Sequence, residues 1–278
     1  MGVYTMSISD IFKSNIFLIF LPSYKRFAKE KRLGKINKHM KRYKSLLFSG
    51  KSNRLEYPFA FSYHPDSVLR TPSLFDKLTR IFERFTQDNE QNNSGDLSRF
   101  YSLVLNLEQL KKEGIQGDFA ELGVYRGNTS AVLADYAGEM GRKLFLLDTF
   151  EGFHPDDIQK DSDRGVFSDT DIQSVKQLVQ HADICTYLIG RFPDSATDEL
   201  ASARFCFVSL DCDLYKPMKA GLEFFYPRME EGGYMFIHDY SSPHWQDECT
   251  KAVDEFCEEK NIKVVLLPDK SGSAVLRR

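Results

Sequence analysis

The sequence lacks the features that mark several common protein classes. Its five cysteines include no Cys-x-x-Cys pair, and Cys206 lies in an apolar strand-like run, so a reduced, cytoplasmic setting is the simplest interpretation. Residues 1–10 lack the basic start of a secretory signal. The apolar run at residues 16–21 is shorter than the roughly 20 residues needed to cross a bilayer. What remains is the composition of an ordinary soluble globular protein.

Positive charge is concentrated near the N-terminus, although the chain of 278 residues carries a formal net charge of −3. Twelve lysines and arginines lie between Lys25 and Arg54, against a single acid. Apolar residues recur at helical spacing just before them, over residues 8–20. We therefore expect a basic helical extension over residues 1–57 and a main domain over residues 58–278.

Two interpretations of this extension stay open. Its apolar side can pack on the main domain. Alternatively, residues 8–54 can contact the inner face of a membrane, because anionic lipid attracts an apolar face that lies beside a polybasic stretch. Nucleic acid is not expected as a partner, since no nucleic-acid-binding motif accompanies the basic segment and the rest of the chain is acidic. The sequence leaves the oligomeric state open, and a homo-oligomer is compatible with it.

Strand-like and helix-like segments alternate from Gly117 to the C-terminus. Seven segments are predicted as strands, at residues 118–124, 143–148, 184–189, 205–210, 234–237, 263–267 and 273–276. Amphipathic helices are predicted at residues 72–86 and 99–113, ahead of the first strand. This alternation predicts an α/β fold with a mostly parallel sheet and helices on both faces. A long mobile loop is predicted over residues 151–169, and a turn at Gly232–Gly233.

Three acids each close a strand-like run and begin a loop. Asp148 follows the second predicted strand, Asp211 the fourth, and Asp239 the fifth. In an open parallel sheet, the carboxyl ends of the strands form one edge, and ligands bind at that edge. We therefore expect these three carboxylates, which are far apart in the sequence, to lie along one rim of the sheet.

A glycine-bearing segment comes before these acids and joins the first strand to a helix. It contains Gly123 and Gly127, but it forms neither a G-x-G-x-x-G nor a P-loop pattern. Glu121 beside it would repel phosphate, so a ligand such as S-adenosylmethionine, which carries a sulfonium and an ammonium group, fits better than a nucleotide. Asp148 lies 21 residues after Gly127, a spacing that is typical of an acid that binds ribose hydroxyls.

The second group of candidate residues is Asp211, Asp213, His238 and Asp239. Carboxylate oxygens suit Mg²⁺, and the imidazole shifts the preference toward Mn²⁺, Fe²⁺ or Zn²⁺. A metal ion there could lower the pKa of a substrate hydroxyl, with Asp211 or Asp213 assisting its deprotonation. A structural interpretation stays open, in which Asp213 caps a helix and His238 packs against a neighbour.

Several stretches together resemble the macrocin O-methyltransferase family, over residues 70–254. They are Gly117-Asp118-Phe119-Ala120-Glu121-Leu122-Gly123-Val124-Tyr125-Arg126-Gly127, Leu147-Asp148-Thr149-Phe150-Glu151-Gly152-Phe153, Leu210-Asp211-Cys212-Asp213-Leu214-Tyr215, Phe225-Tyr226-Pro227, and Gly232-Gly233-Tyr234 through Asp239-Tyr240. The resemblance implies a class I methyltransferase (Rossmann-like) fold and a divalent metal, usually Mg²⁺, held by Asp211 and by the pair that ends in Asp239. The family commonly has two adjacent acids where this chain has His238-Asp239.

From the residues and the resemblance together, we expect Asp211, His238 and Asp239 to bind the metal and Asp211 and Asp213 to act in catalysis. The residues expected to bind S-adenosylmethionine are Thr71, Glu121, Gly123, Tyr125, Arg126, Gly127, Asn128, Thr129, Asp148, Phe150 and Gly190. The expected reaction is O-methylation of a hydroxyl on a sugar, a glycosylated natural product or a cell-surface glycan. Two alternatives stay open: a nucleotide-sugar or NAD-dependent enzyme, and a non-catalytic membrane-associated binding module.

Overall fold

The computed structural model describes residues 72–93 and 96–278. The extension predicted over residues 1–57, the start of the main domain at residue 58, and Thr71 lie outside the described residues. No helix within the described part of the chain is long and apolar enough to cross a membrane.

A seven-stranded sheet forms the centre of the described residues, with strand order β3-β2-β1-β4-β5-β7-β6. The strands are β1 (Asp118–Leu122), β2 (Leu144–Asp148), β3 (Cys185–Ile189), β4 (Phe205–Leu210), β5 (Met229–Ile237), β6 (Val265–Leu266) and β7 (Ala274–Arg277). The first five strands pair in parallel, and β7 is antiparallel to both of its neighbours. The predicted α/β fold with a mostly parallel seven-stranded sheet is therefore confirmed.

Helices precede and connect the strands. They are α1 (Pro72–Thr86), α2 (Glu90–Asn93), α3 (Leu97–Glu113), α4 (Asn128–Met140), α5 (Ile172–Val179), α6 (Asp198–Ser202), α7 (Tyr215–Phe225) and α8 (Lys251–Lys260). Helix α3 begins where the Asp96 side chain accepts a hydrogen bond from the Arg99 amide, and it ends at Gly114, whose φ is +68°. This cap fixes the first turn of α3, which faces the carboxyl edge of the sheet.

The sheet is covered on both faces by apolar side chains. Successive residues of β1 alternate between the two layers, so that Phe119 packs with α1, α3 and α4, and Ala120 packs with α7 and α8. Phe85 and Tyr136 belong to the first layer, and Phe256 belongs to the second. Burial on both faces explains why the central strands read as nearly continuous apolar runs in the sequence.

One local prediction was wrong. Gly232 and Gly233 do not form a turn before a short strand, because β5 continues through both of them. The register of β4 and β5 shifts at this point, and a Cβ at Gly233 would lie 3.0 Å from the Cys206 carbonyl oxygen, so the glycine permits a close approach of the two strands. A π-helical segment, Gln246–Thr250, leads directly into α8.

Candidate active site

A cavity of about 300 Å³ opens at the carboxyl edge of the sheet. Its walls come from the loops that follow β1, β2, β4 and β5, and from the first turn of α3 and the loop between β6 and β7. All of the parallel strands point their carboxyl ends toward this edge, so the fold brings together residues that are far apart in the sequence. Phe153 and Trp245, whose rings meet edge to face at 5.9 Å, form an aromatic side of the cavity.

Gly123 holds the first loop against β4. Its φ is +91°, and a Cβ at this position would lie 2.0 Å from the Asp211 carbonyl oxygen. Only glycine is compatible with that conformation and that approach. The Asp211 amide donates to the Leu122 carbonyl at 2.8 Å, so the ends of β1 and β4 are joined directly.

Asp148 accepts hydrogen bonds from three backbone amides. Its Oδ2 atom accepts from Val124 N at 2.6 Å and Tyr125 N at 2.9 Å, and its Oδ1 atom accepts from Phe150 N at 2.7 Å. A carboxylate has about four acceptor positions, so roughly one is left for a ligand hydroxyl. Asp148 therefore shapes the glycine turn as well as lining the cavity.

Glu121 is buried at the base of the cavity and accepts a hydrogen bond from the Ser130 hydroxyl. Burial, with smaller contributions from the charges of Asp211 and Asp148, raises the pKa of Glu121 to about 8. The group is therefore mostly protonated at neutral pH, because the nearby hydroxyl and the more distant Arg99 only partly offset the loss of hydration.

A charged cluster occupies the other side of the cavity. His238 Nδ1 lies 2.8 Å from Asp211 Oδ1 and 2.5 Å from Asp239 Oδ2, and Arg99 Nη2 donates to Asp211 Oδ2 at 2.8 Å. Burial favours the neutral form of Asp211, but His238 and Arg99 outweigh it and lower the pKa of this carboxyl. Burial likewise opposes the charged form of His238, yet Asp211 and Asp239 raise its pKa well above the usual value.

Asp213 differs from its neighbours because it forms no ion pair with a cation among residues 72–93 and 96–278. Burial, followed by the charges of Asp239 and Asp211, raises the pKa of Asp213 well above its usual value. The alternative role of Asp213 as a helix cap is not observed: the N-cap of α7 is Leu214, and the amide of Tyr215 donates to Glu248 Oε2 at 2.8 Å. Asp213 lines the cavity, and its carboxyl group, for which the neutral form is favoured, is hydrogen-bonded with that of Asp239.

The donor atoms in this cluster fit a metal ion. One atom each from Asp211, His238 and Asp239 lies within 4.8 Å of the others. His238 Nδ1 is buried and close to two carboxylate oxygens, but it is aligned for a hydrogen bond with neither. A nitrogen and two oxygens that converge in this way form a donor set suited to a divalent cation.

Most of the residues expected from the sequence line this single cavity: Glu121, Gly123, Tyr125, Asn128, Thr129, Asp148, Gly190, Asp211, Asp213, His238 and Asp239. Three other expected residues, Arg126, Gly127 and Phe150, do not line the cavity. Arg126 pairs with Asp169 at 2.5 Å, Gly127 packs under the Val175 side chain, and Phe150 is buried in the first apolar layer. They can hold the glycine turn and the loop after β2 in place without touching a ligand.

Arg99 was missed by the sequence reasoning, although it is buried and lines the cavity. A signal was present, because Arg99 shares one face of α3 with Leu103, Leu107 and Leu110, and a cation on an apolar helical face requires a buried partner. Lys270, from the loop between β6 and β7, also lines the cavity, and the sequence showed only turn chemistry there.

Comparison with known proteins identifies the family. The family model described as "Macrocin-O-methyltransferase (TylF)" matches residues 95–272, which is more than half of the chain. The chain is 28% identical over 176 residues to the 8-demethyl-8-(2,3-dimethoxy-alpha-L-rhamnosyl)-tetracenomycin-C 4'-O-methyltransferase of Streptomyces olivaceus, covering 58% of this chain and 65% of that protein. It is 25% identical over 183 residues to the Mycinamicin III 3''-O-methyltransferase of Micromonospora griseorubida, covering 60% and 70%.

Solved structures show the same fold. The O-methyltransferase NovP superposes with a TM-score of 0.61 at 18% identity, over 75% of this chain and 99% of that chain. CalS11, a calicheamicin methyltransferase, superposes with a TM-score of 0.53 at 19% identity, over 77% and 94%. The expected class I methyltransferase fold is confirmed. The chain therefore belongs to the macrocin-O-methyltransferase family and is an enzyme of the methyltransferase class.

Proposed function

We propose that this protein transfers the methyl group of S-adenosylmethionine to a hydroxyl group of a sugar. The observation that carries the proposal is that the glycine turn and the charged cluster share one cavity, with Gly123 directly against the backbone of Asp211. A cofactor bound along the turn would then have its reactive end beside the ionised carboxylate. The rhamnosyl group in the name of the Streptomyces relative supports a sugar acceptor.

In this proposal, the residues after β1 and β2 bind the cofactor. Glycine at position 123 lets a ligand approach the backbone closely, and the N-terminus of α4 at Asn128 and Thr129 offers amide donors. The remaining acceptor position of Asp148 would take a ribose hydroxyl. The protonated Glu121 places no full negative charge below the cofactor, whereas Asp211 provides one on the side toward the acceptor.

The acceptor would enter past Phe153 and Trp245, whose rings offer an apolar surface to a sugar ring. Its hydroxyl would lie at Asp211, where the ionised carboxylate can accept the proton as the oxygen attacks the methyl carbon. The C–S bond of the sulfonium breaks as the O–C bond forms, and S-adenosylhomocysteine leaves. Asp213, whose neutral form is favoured and which is hydrogen-bonded with Asp239, can accept a hydrogen bond from a hydroxyl of the sugar through its other oxygen.

A divalent metal ion is the finer part of the proposal. Asp211, His238 and Asp239 would hold it once His238 has released its Nδ1 proton, and when bound it would lower the pKa of the acceptor hydroxyl. Two carboxylates favour Mg²⁺, and the imidazole adds affinity for Mn²⁺. Arg99 already occupies Asp211 Oδ2, so the Oδ1 atom that faces His238 is the oxygen that would serve as ligand.

The reaction is tested by incubating the full chain with S-adenosylmethionine labelled in its methyl group and a panel of acceptors. The panel should contain nucleotide-linked rhamnose, rhamnosylated aromatic aglycones, macrolide glycosides and lipid-linked sugars. We expect label to appear on a sugar hydroxyl of at least one glycosylated acceptor. Label on none of them, by a protein that binds the cofactor, would contradict the sugar assignment.

The metal assignment is tested by calorimetric titration of Mn²⁺ and Mg²⁺ into the wild type, His238→Ala and His238→Asp. Removal of a residue that only hydrogen-bonds to a metal ligand typically lowers metal affinity about 10- to 100-fold. His238→Ala removes a ligand itself, so it should weaken Mn²⁺ binding at least about tenfold. His238→Asp should shift the preference toward Mg²⁺. If neither ion binds the wild type, the metal site is wrong, whatever the outcome of the acceptor screen.

A further inference from the structure

Arg99 is the buried cation that stands closest to the start of α4. Its Nη2 atom donates to Thr129 Oγ1 at 3.1 Å and to Asp211 Oδ2 at 2.8 Å, and its guanidinium lies 5.8 Å from the centre of the Phe85 ring. Its Nη1 atom has a contact of 3.5 Å with Asn93 Oδ1, longer than the 2.7–3.2 Å of a good N–H···O bond. A guanidinium has five N–H donors. Thr129 and Asp211 take the two of Nη2, so donors on the other nitrogens of Arg99 remain for a ligand of the cavity that this residue lines.

The cofactor of the proposed function brings one anionic group into an acidic cavity. Its methionine part carries a carboxylate, and the cavity is lined by the carboxyl groups of Glu121, Asp148, Asp211, Asp213 and Asp239. Transfer of an ionised carboxylate to a buried site is costly unless a charged partner meets it there. The cavity therefore needs a cation at the end of the cofactor that lies away from Asp148.

Two other cationic side chains of the cavity wall, Arg191 and His238, are engaged by carboxylates. Arg191 follows β3 and is held by Asp157 through Nε and Nη2, and by Asp194 through Nη1. His238 lies between two carboxylates. Lys270, from the loop between β6 and β7, lies beside the start of α3, because its backbone amide and that of Arg99 donate to the same Asp96 carboxyl group. Of these two cations, Arg99 is the one that reaches the start of α4, through Thr129, and the test below separates them.

We propose that Arg99, together with Thr129, binds the α-carboxylate of the cofactor's methionine. This inference rests on the proposed placement of the cofactor along the glycine turn. The Thr129 hydroxyl accepts from Arg99, so its own hydrogen is left to donate to a ligand oxygen. Because Arg99 also binds Asp211, one guanidinium joins the methionine end of the cofactor to the carboxylate at the acceptor side, which makes Arg99 a positioning residue for both.

The test compares two ligands that differ only in the carboxylate: S-adenosylhomocysteine and its decarboxylated analogue, S-adenosyl-3-thiopropylamine. Their dissociation constants are measured by calorimetry on the full chain. Hydrogen bonds between charged groups support a difference of about 10- to 100-fold, so the wild type should bind the analogue more weakly by that factor. Arg99→Gln should bind S-adenosylhomocysteine more weakly than the wild type by the same factor. Its affinity for the analogue should change little, so that the two ligands bind this variant about equally.

The control variants are Arg99→Lys, Arg191→Gln and Lys270→Gln. The lysine at position 99 keeps the charge and should keep part of the difference between the two ligands, and the other two variants should keep all of it. The proposal would be overturned if the affinities for the two ligands became equal in Lys270→Gln instead of Arg99→Gln. It would also be overturned if Arg99→Gln lost affinity for both ligands by the same factor.

The wild type decides the proposal even if Arg99→Gln fails to fold. Tight and equal binding of both ligands by the wild type would overturn the role of Arg99 alone, and the cofactor assignment would stand. Binding of neither ligand would overturn the cofactor assignment, and the role of Arg99 with it.

Discussion

Strands β1 and β4 are neighbours in the sheet, and each brings one carboxyl group to the same cavity. Glu121 on β1 is buried and Asp211 after β4 is half-buried at this edge, and their pKa values move in opposite directions. Glu121 meets a serine hydroxyl, whereas Asp211 meets the guanidinium of Arg99 and the imidazole of His238. Burial favours the neutral form at both positions, and the partners decide the outcome.

The difference assigns separate tasks to the two sides of the cavity. The β1 side presents backbone donors and a neutral acid, which suits a ligand that carries its own positive charge. The β4 side presents an ionised acid held by two cations, one from α3 and one after β5. The charge of an active-site acid in this fold therefore depends on residues that come from other elements, and not on the strand that carries the acid.

The strongest way to break this contrast is to remove the charge on the β4 side. Asp211→Asn should lower the rate of methyl transfer about 10³-fold, within the range usually lost with a proton acceptor. The affinity for S-adenosylhomocysteine should stay within about threefold of the wild type, since a residue that acts in the chemical step changes the rate without changing ground-state binding. Single-turnover transfer of labelled methyl and calorimetry measure the two effects.

Asp213→Asn is the matched control for that change. The neutral form of Asp213 is favoured and its carboxyl group is hydrogen-bonded with Asp239. An amide is close to it in shape and charge and can still donate to Asp239, so the rate should fall much less than in Asp211→Asn. Equal losses in the two variants would contradict the assignment of Asp211 as the ionised proton acceptor.

A second change acts on both sides at once, through the glycine between them. Gly123→Ala adds a Cβ where φ is +91° and where the Asp211 carbonyl oxygen is 2.0 Å away. The backbone strain and the overpacking together should cost about 3 kcal/mol, which corresponds to roughly 6–12 °C in the melting temperature. Gly141→Ala, at φ +64° with open space around it, should cost only about 1 kcal/mol. Similar melting temperatures for the two variants would contradict the close β1–β4 contact.

The three strand-end acids could be predicted because position at the carboxyl edge follows from the strand pattern alone. Asp148, Asp211 and Asp239 all line the cavity, and the turn at Gly123 lies beside them. These features are local, since each depends on a strand end and the few residues after it. The fold class followed from the same alternation of strands and helices.

The partners of the acids could not be predicted in the same way. Arg99 and Asp211 are 112 positions apart in the chain, and their side chains form an ion pair. Asp148 accepts hydrogen bonds from three backbone amides. Neither contact follows from spacing, because each depends on how a helix packs on the sheet and how two loops meet. The protonation states of Glu121 and Asp213 depend on such contacts and were therefore beyond the sequence pattern.

The remaining prediction concerns the neutral acid on the β1 side. The pKa of Glu121 is about 8 in the folded protein against an ordinary value of 4.5. Below pH 4.5 the group is protonated in both the folded and the unfolded chain, so its burial has no electrostatic cost. As the pH rises toward 8, the unfolded chain gives up the proton and the folded protein keeps it. The free energy of unfolding therefore falls by about 1.4 kcal/mol for each pH unit within this window.

Glu121→Gln should remove that slope. Glutamine is neutral at every pH and can still accept the hydrogen bond from Ser130, so the variant should be more stable than the wild type near pH 7, and the advantage should shrink toward pH 5. Urea unfolding of both proteins across this range measures the difference. Glu248→Gln, which alters another buried glutamate but leaves Glu121 in place, should keep the wild-type slope from Glu121. If the wild type and Glu121→Gln respond to pH identically, Glu121 is ionised like Asp211, and the contrast between the two strands is lost.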